Sequence, residues 1–209
     1  MKPINGTFGI DVITDIETTD ELADSINTLK KYKEILLEEQ VQGDCYRIFV
    51  FNDVVIDIIK REKPYVFGDG KHTIKELIDM RNKEQLKLEL IETNNISDLF
   101  IKKQGYEMKD VPEIKKKVFI SNVINMHNGA RIFRIPIESV PQKNLDLFVK
   151  VNKTMKIYCS GLDYMSNDIT IPYDKNNSYI LEVNGTPDTE IHTKIKGFNF
   201  FEKVVSVIS

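Results

Sequence analysis

Tryptophan is absent from the 209 residues, cysteine occurs twice and histidine three times. Cys45 and Cys159 lie far apart with no ligand-pair spacing, which excludes a disulfide framework or a zinc ribbon as the organising principle. Both thiols are expected to be free in a reducing cytosol. No apolar run approaches the ~18 residues of a membrane helix. The start, Met1-Lys2-Pro3-Ile4-Asn5-Gly6, has no apolar leader core. A cytoplasmic chain with no membrane partner is therefore expected. An excess of one charge is missing too. The 29 basic and 32 acidic side chains leave a net charge of −3, so no global basic field would hold nucleic acid. Repeats and low-complexity tracts are also absent.

What remains is ordinary globular material, 41% hydrophobic and 29% charged. At this length it is enough for one domain, or a domain with a subdomain, around a real core. Residues 10–16 alternate apolar and polar as a half-buried strand does. Thr19 or Asp20 is expected to cap a helix reaching Lys33, with Leu22, Ile26 and Leu29 on one face. Strands are expected over Ile35–Val41, Tyr46–Phe51 and Val54–Lys60, the last two joined by a tight Asn52-Asp53 turn.

Gly68-Asp69-Gly70 breaks the chain, and Thr73 with Glu76 forms a capping box opening a helix to about Arg81. Short helical pieces follow over 83–117. Strands are expected over Val118–Ile124 and Arg131–Ile137 around a His127-Asn128-Gly129 turn. An amphipathic helix is expected over Leu145–Tyr158, strands over Leu162–Ser166 and Tyr179–Val183, and a closing helix over Phe198–Ile208. Antiparallel hairpins mixed with helices on one side give an α+β fold.

The residues most suggestive of chemistry are Gly161-Leu162-Asp163 and Leu181-Glu182-Val183-Asn184. Alternation along a strand puts Glu182 and Asn184 on one face, and Asp163 on a paired strand can join them. Two carboxylates and an amide oxygen form a hard, oxygen-rich set of the kind magnesium takes together with substrate phosphates. The same residues could equally line the solvated face of an edge hairpin.

Gly-Leu-Asp together with Leu-Glu-Val-Asn-Gly-Thr-Pro resembles the metal-binding end of ATP-grasp ligases. The stretch Arg61–Ile74, with its Gly68-Asp69-Gly70-Lys71-His72-Thr73-Ile74 core, is similar to the long signature of one branch. That branch contains cyanophycin synthetase and the fused glutamate–cysteine ligase/glutathione synthetase. Gly105-Tyr106 and Val111-Pro112 fit it as well, and the likeness runs from Lys2 to about His192.

The resemblance implies an ATP- and magnesium-dependent carboxylate–amine ligase acting through an acyl phosphate, with manganese able to replace magnesium. ATP and a small amino-acid or peptide substrate are the implied partners, and a homo-oligomer is a further implied one. It assigns Lys2, Gly6, Gly9, Glu38, Glu39 and Val41 to the nucleotide. Arg47 and Arg61 are assigned to the phosphates or the acyl phosphate, and Asp163, Glu182 and Asn184 to the metal. Residues 1–60 would then be the nucleotide-binding subdomain and 61–209 the subdomain with the metal and substrate site.

His72 is read as a structural residue at a helix start, and His192 as a surface residue. Three departures accompany the likeness. Cys45 stands where the family has an acidic ribose-binding residue, and Asp44 faces the other side of its strand. Arg134 stands where the family has an aspartate. The front lysine and leading strand have no counterpart, so the N-terminal portion is expected to be missing. These departures leave open an alternative, a non-catalytic ATP-grasp remnant that binds nucleotide or serves assembly.

Overall fold

The computed structural model describes residues 1–5, 11–84, 91, 96–122, 124, 129–195 and 198–208. They form two compact units, each drawn from two stretches of chain: 1–40 with 63–130, and 41–62 with 131–209. The chain crosses between units at Gln40/Val41, Glu62/Lys63 and Ala130/Arg131.

The first unit holds β1 (Lys2–Pro3), α1 (Thr19–Leu29), β2 (Ile35–Leu36), β5 (Tyr65–Phe67), α2 (Ile74–Glu84), α3 (Asp98–Lys103) and β6 (Lys117–Phe119). Its strands form two separate antiparallel pairs, β1 with β2 and β5 with β6. Val66, Ile74, Leu77, Ile78, Ile101, Val118 and Ile120 make its core.

Helix α1 starts one residue earlier than expected. Thr18 is its N-cap, closing a capping box in which the Glu21 amide donates to Thr18 Oγ1 at 3.1 Å. The helix stops at Leu29 rather than Lys33. Residues 11–16 are not a strand. Asp11 and Asp15 both adopt φ of 57°, a left-handed conformation that interrupts extended pairing. The expected strand over 35–41 shrinks to Ile35–Leu36.

The second unit is built on a five-stranded antiparallel sheet in the order β7-β4-β3-β8-β9. Its strands are β3 (Asp44–Phe51), β4 (Val54–Glu62), β7 (Arg131–Arg134), β8 (Cys159–Ser166) and β9 (Ser178–Asn184). Asn52 and Asp53, at φ of 46° and 62°, make the β3–β4 turn, two positive-φ residues matching the twist of a hairpin.

The expected hairpin over 118–137 does not form. β6 pairs with β5 in the first unit, while β7 pairs with β4 in the second. The turn residues His127 and Asn128 lie outside the described residues.

One face of the five-stranded sheet carries Tyr46, Ile48, Val50, Val55, Ile58, Leu162 and Tyr164 against α4 (Gln142–Met155). Phe148 of α4 is fully buried there, edge-on to Tyr164 with ring centroids 5.0 Å apart. On the opposite face two short helices, α5 (Glu190–Thr193) and α6 (Phe200–Val205), close over one end, where Phe49, Ile56 and Phe200 cluster. The other end of that face holds the polar side chains considered next. No helix among the described residues is long and apolar enough to cross a membrane.

Candidate functional site

Strand register assembles the polar face. In antiparallel pairing, residues directly opposite one another project to the same side of the sheet. Cys45 stands opposite Arg61, Arg47 opposite Asp163, Asp163 opposite Glu182, and Gly161 opposite Asn184. Four strands thus contribute Arg61, Cys45 and Arg47, Asp163, and Glu182 with Asn184.

A bulge in β9 makes this possible. Asp163 pairs with Glu182 but the next residue, Tyr164, pairs with Ile180, leaving Leu181 extra. Strict alternation would put Ile180 on the same side as Glu182. The bulge lets Ile180 pack into the α4-facing core while Glu182 stays on the polar face.

The side chains are closely engaged. Arg47 Nε donates to Asp163 Oδ1 at 2.9 Å, and its Nη2 to Oδ2 at 3.4 Å. Arg61 Nη2 also donates to Asp163 Oδ1, at 2.9 Å, and to Cys45 Sγ at 3.1 Å. Oriented to satisfy its neighbours, the Asn184 amide donates to Glu182 Oε1 at 3.1 Å and accepts from Arg47 Nη1 at 3.3 Å.

Arg47 therefore touches two of the three expected metal ligands. It lies over Gly161, where an added Cβ would sit 2.6 Å from Arg47 Nη1 and 2.8 Å from Pro187. A glycine here is a steric requirement of the arginine's position. Cys45 is buried, and that burial pushes its thiol above the usual range despite the nearby guanidinium of Arg61.

Asp44 faces the other side, as expected, and pairs with Lys60 at 2.8 Å. Glu182 is exposed, while Asp163 and Asn184 are half-buried. Among the described residues no three His, Cys, Asp or Glu side chains cluster as a metal site. The candidate set is two facing carboxylates with an amide beside them. Its oxygens fit a hard divalent cation that completes its shell with phosphates.

The expected nucleotide residues are placed more loosely. Lys2 on β1 pairs with Glu38 at 2.7 Å, both in the first unit and both half-exposed. Glu39 is exposed, in a segment without strand structure, and Val41 opens the second unit. Gly6 and Gly9 lie outside the described residues.

The long glycine signature turns out to dock backbone on backbone. The Gly68 amide donates to Lys116 O at 2.8 Å, Gly70 to Pro112 O at 3.1 Å and Ile74 to Asp110 O at 3.0 Å. A Cβ on Gly68 would meet Glu113 O at 2.2 Å. Asp69 accepts from the amides of Lys71 and His72 and pairs with the His72 ring at 2.6 Å. These bonds hold its carboxyl well below the usual range, the His72 contact first among them.

His192 is a correction: it is fully buried rather than at the surface. Its Nδ1 lies 2.8 Å from Asp57 Oδ2, and its ring stacks on Phe200 at 5.2 Å. Arg134 donates to both Asp57 oxygens, from Nε to Oδ1 at 2.8 Å and from Nη2 to Oδ2, the oxygen His192 also faces, at 3.1 Å, and it donates to His192 O at 3.0 Å. Arg134 is thus part of a buried clamp fastening α5 to the sheet. The signal missed in the sequence was the odd placement of Asp57 within an otherwise apolar strand.

A groove of about 510 Å³ lies beside α4, lined by Val54, Val55, Leu145 and Val149 among others. It includes none of the residues above.

The chain has the ATP-grasp fold. It superposes on the bifunctional glutathione synthetase of Pasteurella multocida with a TM-score of 0.67 at 21% identity, covering 99% of this chain and 31% of that one. The ATP-grasp ligase PsnB, solved with a minimal precursor, Mg and ADP, aligns with a TM-score of 0.50 at 15% identity, covering 99% of this chain and 44% of that one.

By sequence the chain is 28% identical over 199 residues to the glutathione biosynthesis bifunctional protein GshAB of Desulfotalea psychrophila, covering 91% of this chain and 25% of the relative. It is 25% identical over 202 residues to cyanophycin synthetase of Synechocystis sp., covering 92% and 23%. The resemblance read from the motifs is borne out by these relatives. The chain spans about a quarter of their length. No family model matches it.

Proposed function

We propose that this chain carries the metal-binding face and nucleotide-binding elements of an ATP- and magnesium-dependent carboxylate–amine ligase. The observation that carries the proposal is the register that sets Asp163 opposite Glu182, with Asn184 alongside and two arginines on the same face. In this reading Asp163, Glu182 and Asn184 hold magnesium, which supplies neutralisation of phosphate charge. Lys2, Gly6, Gly9, Glu38, Glu39 and Val41 serve the nucleotide, with 1–60 as the nucleotide subdomain and 61–209 as the metal and substrate subdomain.

Arg47 and Arg61 orient the transferred phosphoryl group and stabilise the acyl phosphate made from a substrate carboxylate. When the amine attacks, they face the oxyanion that forms. Losing one such donor typically costs about 10²–10³ in rate. An amino acid or peptide is the substrate class that the names of these relatives suggest; in our reading the chain works in the cytoplasm as a homo-oligomer.

The test is calorimetric titration with a non-hydrolysable ATP analogue and magnesium, followed by a phosphate-release screen over amino acids. Magnesium-dependent binding that disappears in Glu182→Ala supports the proposal. Equal binding by both removes Glu182 from the site.

Two observations favour a second reading, a non-catalytic remnant. Cys45 occupies the sheet face where the family places an acid, and Arg134 is consumed by the Asp57 clamp. Nucleotide binding with no phosphate release for any amino acid is the outcome it predicts.

A further inference from the structure

The metal-binding face is already satisfied by the chain itself. Both oxygens of Asp163 are engaged by guanidinium groups, Oδ1 by Arg47 and Arg61 and Oδ2 by Arg47. With its amide oriented to satisfy these neighbours, the Asn184 oxygen accepts from Arg47 and its nitrogen donates to Glu182. Formal charges on the face, two arginines against Asp163 and Glu182, sum to zero. Both guanidiniums lie within bonding distance of Asp163, so a bare divalent cation at its oxygens would meet two fixed positive charges at short range. A half-buried position weakens solvent screening of that repulsion.

Resting on the ligase reading above, we propose that Arg47 and Arg61 act as placeholders that bar a free divalent cation from Asp163. The face then accepts the cation only together with a polyphosphate. Competition and charge together set this preference. A polyphosphate gives the guanidiniums alternative acceptors, since arginine binds phosphate as it binds carboxylate, through paired N–H groups. Its negative charge also restores balance once a dication is added. Arg47 is the principal placeholder, because it spans Asp163 and Asn184 from a seat that only glycine at 161 leaves open. Arg61 is held additionally by Cys45 Sγ and is more nearly fixed. The chain's own residues thereby impose an order: cation and polyphosphate arrive together, and idle metal binding is suppressed.

The experiment measures protein-bound Mn²⁺ by equilibrium dialysis, with the chain alone and with inorganic tripolyphosphate or a non-hydrolysable ATP analogue, at a matched free Mn²⁺ concentration on the protein-free side. The wild-type chain should take up Mn²⁺ at least tenfold more tightly with either polyphosphate than without. Arg47→Gln should bind Mn²⁺ alone at least tenfold more tightly than wild type, and Asp163→Asn added to it should abolish that gain. Arg61→Gln serves as a second variant, and circular dichroism confirms which variants are folded.

Wild-type uptake of Mn²⁺ alone that equals uptake with polyphosphate overturns the placeholder role while leaving a metal site in place. So does a folded Arg47→Gln chain that binds bare Mn²⁺ no better than wild type. No Mn²⁺ uptake under any condition removes the metal site itself, and the ligase reading with it.

Discussion

The two units use their most distinctive sequence in opposite ways. The first unit holds the longest motif, Gly68 to Ile74, and spends it on architecture: amides and a carboxylate closing one backbone against another. The second unit holds short motifs, Gly161-Leu162-Asp163 and Glu182-Val183-Asn184, and strand pairing turns them into one charged face. A long motif reflects a demanding backbone path, in which each glycine and cap is fixed by a nearby chain. A short motif suffices for chemistry when the sheet supplies the positioning.

That contrast can be broken at several points. Asp163→Ala should have the largest effect on stability. It leaves two mostly buried guanidiniums without their carboxylate, and loss of one partner from a buried pair costs about 3–5 kcal/mol. Urea denaturation measures it, and a cost under about 1 kcal/mol would show that the arginines find other partners.

Gly68→Ala comes next. The new Cβ has no room beside Glu113 and Pro112 carbonyls, and overpacking of this kind costs about 1–3 kcal/mol or more. If the contrast holds, this substitution lowers the melting temperature while leaving Mn²⁺ binding in the presence of tripolyphosphate unchanged in the folded chain.

A pH effect of intermediate size comes from His192. Burial lowers its pKa below the ordinary 6.5, outweighing the attraction of Asp57. The unfolded chain therefore takes up the proton first as pH falls. The contribution to stability is complete above pH 6.5 and is lost below it, by at most about 1.4 kcal/mol per pH unit. Denaturation midpoints between pH 7.5 and 5.5 read this out, and His192→Gln should flatten the profile. An unchanged slope in that variant would assign the effect to other groups.

The smallest change expected is Thr73→Ala. Thr73 Oγ1 accepts from the Glu76 amide at 3.2 Å at the start of α2, and loss of such a cap costs about 1 kcal/mol.

What could be read from the sequence follows the same division. The β3–β4 hairpin was legible because Asn52-Asp53 sits between two apolar runs and local turn chemistry dictates the result. The capping box at Thr73 was legible for the same reason. The pairing of Asp163 with Glu182 was reachable from alternation, but the Leu181 bulge was not. A bulge is set by what the two faces must each bury, and a single strand does not reveal that.

The strand expected at residues 10–16 failed because alternation is blind to the left-handed turns at Asp11 and Asp15. The hairpin expected around Gly129 failed because neighbouring strands in sequence are claimed by different sheets. Arg134 looked like a defect in a motif. Its meaning lies in Asp57 and His192, 77 and 58 residues away, which no local pattern connects.

The central claim is that Asp163 and Glu182 hold a divalent cation alongside a polyphosphate. The direct measurement is an anomalous difference map from crystals grown with Mn²⁺ and a non-hydrolysable ATP analogue. The account predicts a peak roughly 2 Å from oxygens of both carboxylates, the coordination distance of a magnesium-sized ion, with Arg47 turned from Asp163 toward phosphate. A peak elsewhere, with Asp163 still clasped by both arginines, would contradict it.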